Sequence, residues 1–309
     1  MTTGELLRFS FDGLPVRGAL VRLTGSWREA LRRRATVGAF PAPVRDLLGE
    51  MAAAGMLMQS SIKFDGALVL QLHSDGPVKF AVAEVSSALT FRATARVAGD
   101  IGAEHSLATL MSRDGRCAIT LDPYDRQPGK LPYQGVVPLT DTTGAVLPHL
   151  AAVLEFYMLQ SEQLATRFVL AANDELAVGL LVQRMPETNA DRHAAAEAFE
   201  RIATLGGSLS SEELLTLPPE TLLRRPFWAE PLRCQVPRRA EFRCSCSRER
   251  VQSMLLGLGQ AEAEDIIADR GTVEVGCEFC GEHYYFDAVD VGALFAPASD
   301  QPGTSDALQ

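Results

Sequence analysis

The sequence predicts an α+β fold with an N-terminal mixed α/β core domain, a helical linker region and a small C-terminal zinc module held by four cysteines. Strand-like runs dominate the first part of the chain, and helices are interspersed among them without regular βα alternation. Short helices broken by Gly and Pro follow, and four of the six cysteines cluster near the C-terminus. The predicted domains are the core at 1–185, the linker at 186–242, the zinc module at 243–296 and a disordered tail at 297–309.

The composition is that of a globular protein with room for a sizeable core. The chain has 309 residues, of which 47% are hydrophobic and 22% charged. The first residues have neither a basic start nor an apolar segment, so no signal peptide is expected. No apolar run approaches the roughly 18 residues that cross a bilayer. Free or metal-bound cysteines would fit a reducing cytoplasm.

The first helices are predicted from their start signals. A strand-like run at Leu14–Val21 is followed by Ser26 and Glu29, three residues apart, which indicate a capping box. The basic run Arg32–Arg34 is expected to be a solvated helix face rather than an anion site. Pro43 opens a second helix with core-type apolar spacing.

The remaining elements of the core domain follow from alternation and turn residues. Strands are predicted at 61–64, 67–72, 78–85, 91–97, 116–121 and 133–139, a helix from Leu147, and a hairpin of 167–171 with 176–185 across Asn173-Asp174. Cys117 lies in one of these strands and is expected to be buried and unreactive.

The linker is predicted to be helical and weakly stable. One helix covers 194–205, Ser210 and Glu213 form a second capping box, and Pro218-Pro219 starts another short helix. An alternative stays open, in which this stretch is simply part of one continuous core.

The C-terminal module combines short helices with two strands. Ser247 starts one helix, a second runs from Gln260 to Gly271, strands cover 272–275 and 283–286, and Asp287 caps a last helix. From Cys244 to the end there are three Arg and twelve Asp or Glu, a net charge of −9 out of −10 for the chain. A nucleic-acid-binding zinc ribbon would carry a basic stripe, so this charge argues against nucleic acid.

Two cysteine pairs, Cys244-Ser-Cys246 and Cys277-Glu-Phe-Cys280, are separated by thirty residues. The second pair has a common zinc-knuckle spacing, while the first is tighter than usual. Four unrelated buried cysteines would not explain the clustering. Four thiolates complete the tetrahedral shell of Zn²⁺, so the site is expected to be structural or a thiol switch, with no open position for catalysis.

Oxidation is the chemistry that such a site favours. A disulfide within either pair would remove two ligands and eject the zinc. Cys246 precedes a helix near Arg243, Arg248 and Arg250, whereas Glu278 and Glu282 flank the second pair. Arginines and helix N-termini stabilise thiolates, so we expect the two pairs to oxidise at different rates.

Two further residues stand close to the pairs in sequence. His283, three residues past Cys280, is either an alternative ligand or an exposed side chain. Cys234, ten residues before the first pair, is either a resolving thiol or a bystander.

The motifs that carry the cysteines are similar to those of a known family. Phe242-Arg-Cys-Ser-Cys-Ser-Arg-Glu-Arg-Val251, Val275-Gly-Cys-Glu-Phe-Cys-Gly281 and Tyr285-Phe-Asp287 closely resemble the 33 kDa chaperonin family, the redox-regulated heat-shock protein 33 holdases. The likeness extends to Ser61-Ile-Lys-Phe-Asp-Gly66, Asp75-Gly-Pro77, Tyr133-Gln-Gly-Val-Val137, Ser161-Glu-Gln-Leu164 and Glu213-Leu-Leu-Thr-Leu-Pro218.

The resemblance implies a cytoplasmic, ATP-independent chaperone that is inactive when reduced and bound to one zinc ion through Cys244, Cys246, Cys277 and Cys280. It implies disulfides Cys244–Cys246 and Cys277–Cys280 on oxidation, loosening of the module and linker, capture of unfolded client proteins, and a homodimer in the oxidised state. Cys117 and Cys234 fall outside the family's pattern. No phosphate-binding GxxxxGK[ST] loop is present, as expected without ATP.

Two other function classes compete with this interpretation. One is a constitutive zinc-ribbon module that binds proteins without a redox switch. The other is an enzyme, which is disfavoured because no catalytic constellation stands out. We therefore predict no catalytic residue, no nucleic-acid partner and no membrane partner.

Overall fold

The structure is a computed structural model that describes residues 4–102, 106–125, 131–186 and 192–296. The described residues fall into two compact units, which divide between Arg243 and Cys244. The predicted disordered tail at 297–309 lies outside the described residues.

The first unit is built on one large sheet. Its strands are β1 (Gly4–Phe11), β2 (Val16–Leu23), β3 (Gly66–His73), β4 (Val78–Ser86), β5 (Thr90–Val97), β6 (Arg116–Pro123), β7 (Tyr133–Pro138), β8 (Thr166–Ala172), β9 (Ala177–Arg184), β10 (Leu232–Cys234) and β11 (Arg238–Phe242). The order is β7-β6-β3-β4-β5-β11-β1-β2-β9-β8, and β10 also pairs with β1. The β11–β5 pair is parallel and joins the two halves of the sheet.

The helices of the first unit are α1 (Gly25–Arg34), α2 (Ala42–Ser61), α3 (Leu107–Leu110), α4 (Leu150–Gln160), α5 (Arg192–Gly207), α6 (Ser211–Thr216) and α7 (Pro219–Arg224). Helix α2 is buried over most of its surface because its middle consists of Ala, Gly, Met and Leu and packs against strands of both halves of the sheet.

Two apolar cores lie in this unit. The larger core contains side chains of α1, α2 and α4 together with one face of the strands. The second core packs α5, α6 and α7 on the other face of β1, β2, β8 and β9. Strand β9 is therefore buried on both faces, which explains its continuous apolar run Ala177–Val182.

The second unit contains α8 (Arg248–Leu258), α9 (Gln260–Arg270), α10 (Ala288–Phe295) and a hairpin of β12 (Val273–Gly276) with β13 (His283–Phe286). It has a small core of its own, which includes Leu255 and Phe286. Units of this size are marginal on apolar burial alone, so a further stabilising contribution is expected.

Most predicted elements are confirmed. The α+β class holds, and the hairpin of β8 and β9 turns at Asn173, whose Oδ1 accepts from the N–H groups of Glu175 and Leu176 at 2.9 Å. The caps at Ser210, Ser247 and Asp287 form as the sequence indicates, and α9 ends at Gly271 with φ +77°.

Two local predictions are wrong, and one strand was missed. Strand β1 was not expected, although its alternating apolar residues fit a strand. Residues 61–64 do not form the predicted strand, because α2 extends to Ser61. The hydroxyls of Ser60 and Ser61 donate to the carbonyl of Leu57 in the preceding turn of this helix. The capping box of Ser26 with Glu29 is absent because α1 begins at Gly25 and Glu29 pairs with Arg32 and Arg33.

The stretch predicted as the linker packs within the first unit. Its helices α5, α6 and α7 lie where the sequence places them, and residues 232–242 continue as β10 and β11. That this stretch is metastable remains a prediction.

Candidate metal centre

The four clustered cysteines lie on two short segments of the second unit. Cys244 and Cys246 precede α8, whose N-cap Ser247 accepts from the backbone N–H of Arg250 at 3.3 Å. Cys277 and Cys280 occupy the turn between β12 and β13. The cap and the hairpin therefore hold both segments in place.

The turn between β12 and β13 has its own backbone hydrogen bonds. The N–H of Cys277 donates to the carbonyl of Glu282, and the N–H of Gly281 donates to the carbonyl of Cys277, both at 2.8 Å. Gly281 has φ +71°, a conformation that residues with a Cβ rarely adopt. The Gly that follows the second pair is thus required by the turn that carries both sulfurs.

The four Sγ atoms lie within 4.8 Å of one another. The Sγ atoms of Cys244 and Cys277 are 3.6 Å apart, and those of Cys246 and Cys280 are 3.4 Å apart. A tetrahedron with metal–sulfur distances of about 2.3 Å has sulfur–sulfur edges of about 3.8 Å. The four cysteines are therefore close enough together to bind one metal ion, and none of them is in a disulfide.

Hydrogen bonds to sulfur favour negative charge at one position of the cluster. The contact between the Sγ atoms of Cys244 and Cys277 lowers the pKa of Cys277 to about 4 and raises the pKa of Cys244. Backbone N–H groups of Phe279 and Cys280 further lower the pKa of Cys277. Backbone donors aimed at sulfur are suited to a thiolate bound to a cation.

A tyrosine not singled out from the sequence also contacts the cluster. The hydroxyl of Tyr284 donates to Sγ of Cys246 at 3.2 Å, and this contact raises the pKa of Tyr284. Burial raises the pKa of Cys280 to about 11. Tyr284 follows the second pair on β13, so hairpin geometry was the signal that could have identified it.

The arginines near the first pair bond to groups other than sulfur. Arg248 donates to the carbonyl of Tyr285 and to Asp290, both at 2.8 Å, and lies over the ring of Phe286. Arg250 donates to the hydroxyl of Ser245 at 2.7 Å. The hydrogen bonds that lower the pKa of Cys277 favour a thiolate in the second pair, although Glu278 and Glu282 flank that pair in sequence.

The other candidate residues lie apart from the cluster. His283 Nδ1 contacts Oε1 of Glu274 at 2.7 Å, and His283 is not among the four clustered residues. Cys117 is fully buried in β6, as expected, and burial raises its pKa to about 12. Cys234 is exposed on β10, and both of these cysteines belong to the first unit.

The arrangement is suited to holding an ion rather than to turning over a substrate. Four sulfurs complete a tetrahedral shell, and soft thiolates select ions such as Zn²⁺ over Mg²⁺ or Ca²⁺. The ion would join the segment before α8 to the β12–β13 turn, a cross-link that the small core of this unit does not supply.

Comparison with known proteins gives a consistent result across nearly the whole chain. The family model described as "Hsp33 protein" matches residues 4–287. The 33 kDa chaperonin of Chromobacterium violaceum is 44% identical over 292 residues, which are 94% of this chain and 93% of that protein. The 33 kDa chaperonin of Nitrosococcus oceani is 39% identical and is matched over 97% of each chain.

A solved structure shares the fold. The crystal structure of the 33 kDa chaperonin (heat shock protein 33 homolog) from Thermotoga maritima aligns with a TM-score of 0.73 at 22% identity, over 94% of this chain and 97% of that one. Across the ranges that the structure describes, no helix combines the length and the apolar character needed to cross a membrane.

Proposed function

The chain belongs to the Hsp33 protein family, and on that premise we propose that it is a chaperone whose client binding is switched on by oxidation of its four clustered cysteines. The family resemblance seen in the sequence is confirmed. Its members are named chaperonins, so the chain is a chaperone that binds unfolded proteins and not an enzyme. The redox switch, the zinc ion and the sites below are proposals.

The observation that carries the proposal is the group of four Sγ atoms within 4.8 Å. Cys244, Cys246, Cys277 and Cys280 would hold one Zn²⁺, which supplies a cross-link that keeps the second unit folded. Structural zinc contributes about 10–16 kcal/mol of apparent binding free energy in small domains at neutral pH, much of it folding free energy. Loss of the ion would then unfold the unit.

Oxidation converts ligands into disulfides. Two thiols and one peroxide give one disulfide and two water molecules, so two peroxides would consume all four sulfurs. We propose Cys244–Cys246 and Cys277–Cys280 as the disulfides, following the family resemblance. The crosswise sulfurs lie 3.6 and 3.4 Å apart and all four cysteines are free, whereas a disulfide needs about 2.05 Å, so the sulfurs have to move before a disulfide forms.

The second consequence concerns the stretch 186–242, which we propose as a metastable linker. Helices α6 and α7 have six residues each and cover apolar side chains of β1, β2, β8 and β9. Isolated helices of this length are unstable in water, so α6 and α7 depend on packing. Detachment of these helices would expose the second core, where unfolded clients would bind.

The cellular setting follows the same premise. Free thiols and a metal bound by thiolates suit a reducing cytoplasm that becomes oxidising under stress. We propose a homodimer as the oxidised form. Neither ATP, nucleic acid nor a membrane is a proposed partner.

The test is light scattering from a heat-unfolded client, with protein that is either reduced and zinc-loaded or treated with peroxide. We expect suppression of aggregation only after peroxide, together with release of one zinc per chain. Peptide mapping would distinguish the proposed disulfides from crosswise Cys244–Cys277 and Cys246–Cys280 pairs. The Cys234→Ser variant is the control and should behave as wild type.

One outcome would favour a different function. Exposed apolar residues on the second unit, among them Met254 (52% exposed) and Val289 (78%), are compatible with a constitutive protein-binding module. Equal protection of the client before and after peroxide would support that module and contradict the switch.

A further inference from the structure

A cavity of about 70 Å³ lies in the first unit where the ends of α2 and α4 meet β2, β3, β6 and β9. Most of its walls are apolar, and they include Met58, Ile62, Leu121, Met158, Leu164 and Leu181. Ile62 is 37% exposed and Glu162 is also exposed, so the cavity reaches the surface. Nothing in the proposed switch uses it.

Arg17 lines this cavity with a fixed orientation. Its Nε and Nη2 donate to Oε1 of Gln183 at 3.0 and 2.5 Å, and its Nη2 also donates to the carbonyl of Ser61 at 2.8 Å. Gln183 is 1% exposed and donates in turn to Thr166 at 3.0 Å. Within the described part of the chain, Nη1 has no hydrogen-bond partner and Arg17 has no carboxylate partner. A hydrogen-bond donor is therefore held at the cavity.

Glu162 supplies an acceptor at the same cavity. Its Oε1 accepts from the hydroxyls of Tyr157 at 2.7 Å and Tyr133 at 3.1 Å, while Oε2 makes no hydrogen bond to any described residue. The turn that carries it contains Gln163 at φ +56°, in the left-handed region that residues with a Cβ rarely adopt. Two tyrosines and a strained turn thus orient this carboxylate.

We propose that the cavity binds one aliphatic side chain of an extended polypeptide, with Arg17 donating to a backbone carbonyl and Glu162 accepting from a backbone N–H of that polypeptide. A simple anion would be repelled by Glu162 and a simple cation by Arg17, whereas a peptide residue carries one neutral donor and one neutral acceptor beside an apolar group. A cavity of about 150 Å³ holds benzene, so this smaller one suits a group of about four carbons.

The proposal rests on the chaperone function for its occupant, because unfolded clients present such residues. Leu, Ile and Val side chains are those that unfolding exposes most reliably. The cavity also belongs to the larger core and not to the second core, because Met58 and Leu181 lie in the larger core and Leu164 packs against it. Leu180, the neighbour of Leu181 in sequence, lies in the second core. It would therefore be present before the linker loosens and would act as a weak, separate contact for a client.

The first test uses N-acetyl-leucine N-methylamide as a probe and the full-length reduced protein with labelled Ile and Leu methyl groups. NMR titration should shift the methyl signals of Ile62, Leu121 and Leu181. Ile62→Trp should fill the cavity and weaken binding of the probe about tenfold or more, because the leucine side chain loses its apolar contacts. Arg17→Met should weaken binding about fivefold, because one hydrogen bond to the probe is lost. Leu159→Trp, which adds the same ring at an exposed position of α4 outside the cavity, should bind as wild type.

Three outcomes of this titration would overturn the proposal. One is equal affinity of wild type and Ile62→Trp. Another is equal affinity for the corresponding alanine probe, which lacks the aliphatic group. The third is tighter binding of free leucine than of the blocked amide, which would make the cavity a site for a zwitterionic amino acid.

The second test measures client protection after peroxide. Ile62→Trp should need about twice the molar ratio of chaperone to client or more, and Leu159→Trp the wild-type ratio. If Ile62→Trp no longer binds the probe but protects the client at the wild-type ratio, the cavity has no role in client binding and the proposal is contradicted. Failure of the wild type to protect a client in either state would contradict the proposed function instead, and the probe titration would still report on the cavity.

Discussion

At the scale of the residue, burial controls the protonation of one carboxyl group in the first unit. Glu50 lies on α2, the most enclosed helix of the described chain, and desolvation together with the nearby charge of Asp46 raises its pKa to about 8. A raised carboxyl pKa in the folded state means that the protonated form is favoured there. The contribution of Glu50 to folding stability is then fully present below the unfolded pKa of about 4.3 and is lost as the pH rises through 8.

Glu50→Gln should remove this pH dependence. The variant gains stability relative to wild type between pH 5 and pH 8, by about 1–3 kcal/mol once partial solvent screening is allowed for. Urea unfolding followed by tryptophan fluorescence measures it, because both tryptophans, Trp27 and Trp228, belong to the first unit. Asp174→Asn on the exposed hairpin turn is the control, and an identical pH profile for the two variants would contradict the prediction.

At the scale of the element, the short helices of the stretch 186–242 depend on a few local contacts. The hydroxyl of Ser210 accepts from the N–H of Glu213 at 3.2 Å, and the carboxylate of Glu213 accepts from the N–H of Ser210 at 2.9 Å. Glu213 also pairs with Arg225, beyond the end of α7. Arg22 on β2 donates to the carbonyl of Leu217 between α6 and α7 at 2.9 Å. Few such contacts hold α6, so each one matters.

Ser210→Ala should loosen α6 without changing its apolar contacts. Loss of an N-cap costs about 1 kcal/mol, a large amount for a helix of six residues. Hydrogen exchange at α6 should accelerate, and under the proposed mechanism less peroxide should be needed for client protection. Ser211→Ala, which removes a neighbouring hydroxyl that is not the cap, is the matched control. Equal exchange in both variants would show that the cap does not hold the helix.

At the scale of the whole molecule, the two units depend on different stabilising interactions. The first has two apolar cores and a large sheet, whereas the second has one small core and four clustered sulfurs. Larger cores retain stability without metal, and small ones depend on it. The two units should therefore respond differently to removal of the ion.

A chelator should unfold the second unit and leave the larger core of the first unit folded. We expect collapse of the NMR signals of residues from Val251 to Val291, while the methyl signals of the larger core stay unchanged. Cys280→Ser should give the same result without chelator, since three ligands bind zinc more weakly than four. Cys234→Ser, with its exposed thiol in the first unit, should keep its zinc and its signals. Persistence of a folded second unit in metal-free protein would contradict the proposal.

The sequence by itself determined the features that depend on near neighbours along the chain. The caps at Ser210 and Ser247 and the strands from β3 to β6 were predicted correctly because each depends on residues a few positions apart. The same reasoning failed at Ser26 and at 61–64, where packing of α1 and α2 overrode local preferences.

Only the tertiary structure decided the features that join distant segments. It brings Cys244 to Cys277 and Cys246 to Cys280 and places β11 between β1 and β5. It also assembles Arg17, Glu162 and an apolar cavity from six separate parts of the chain. No periodicity in the sequence encodes such pairings, because they are selected by the joint burial of apolar surface and the pairing of backbone groups across the whole fold.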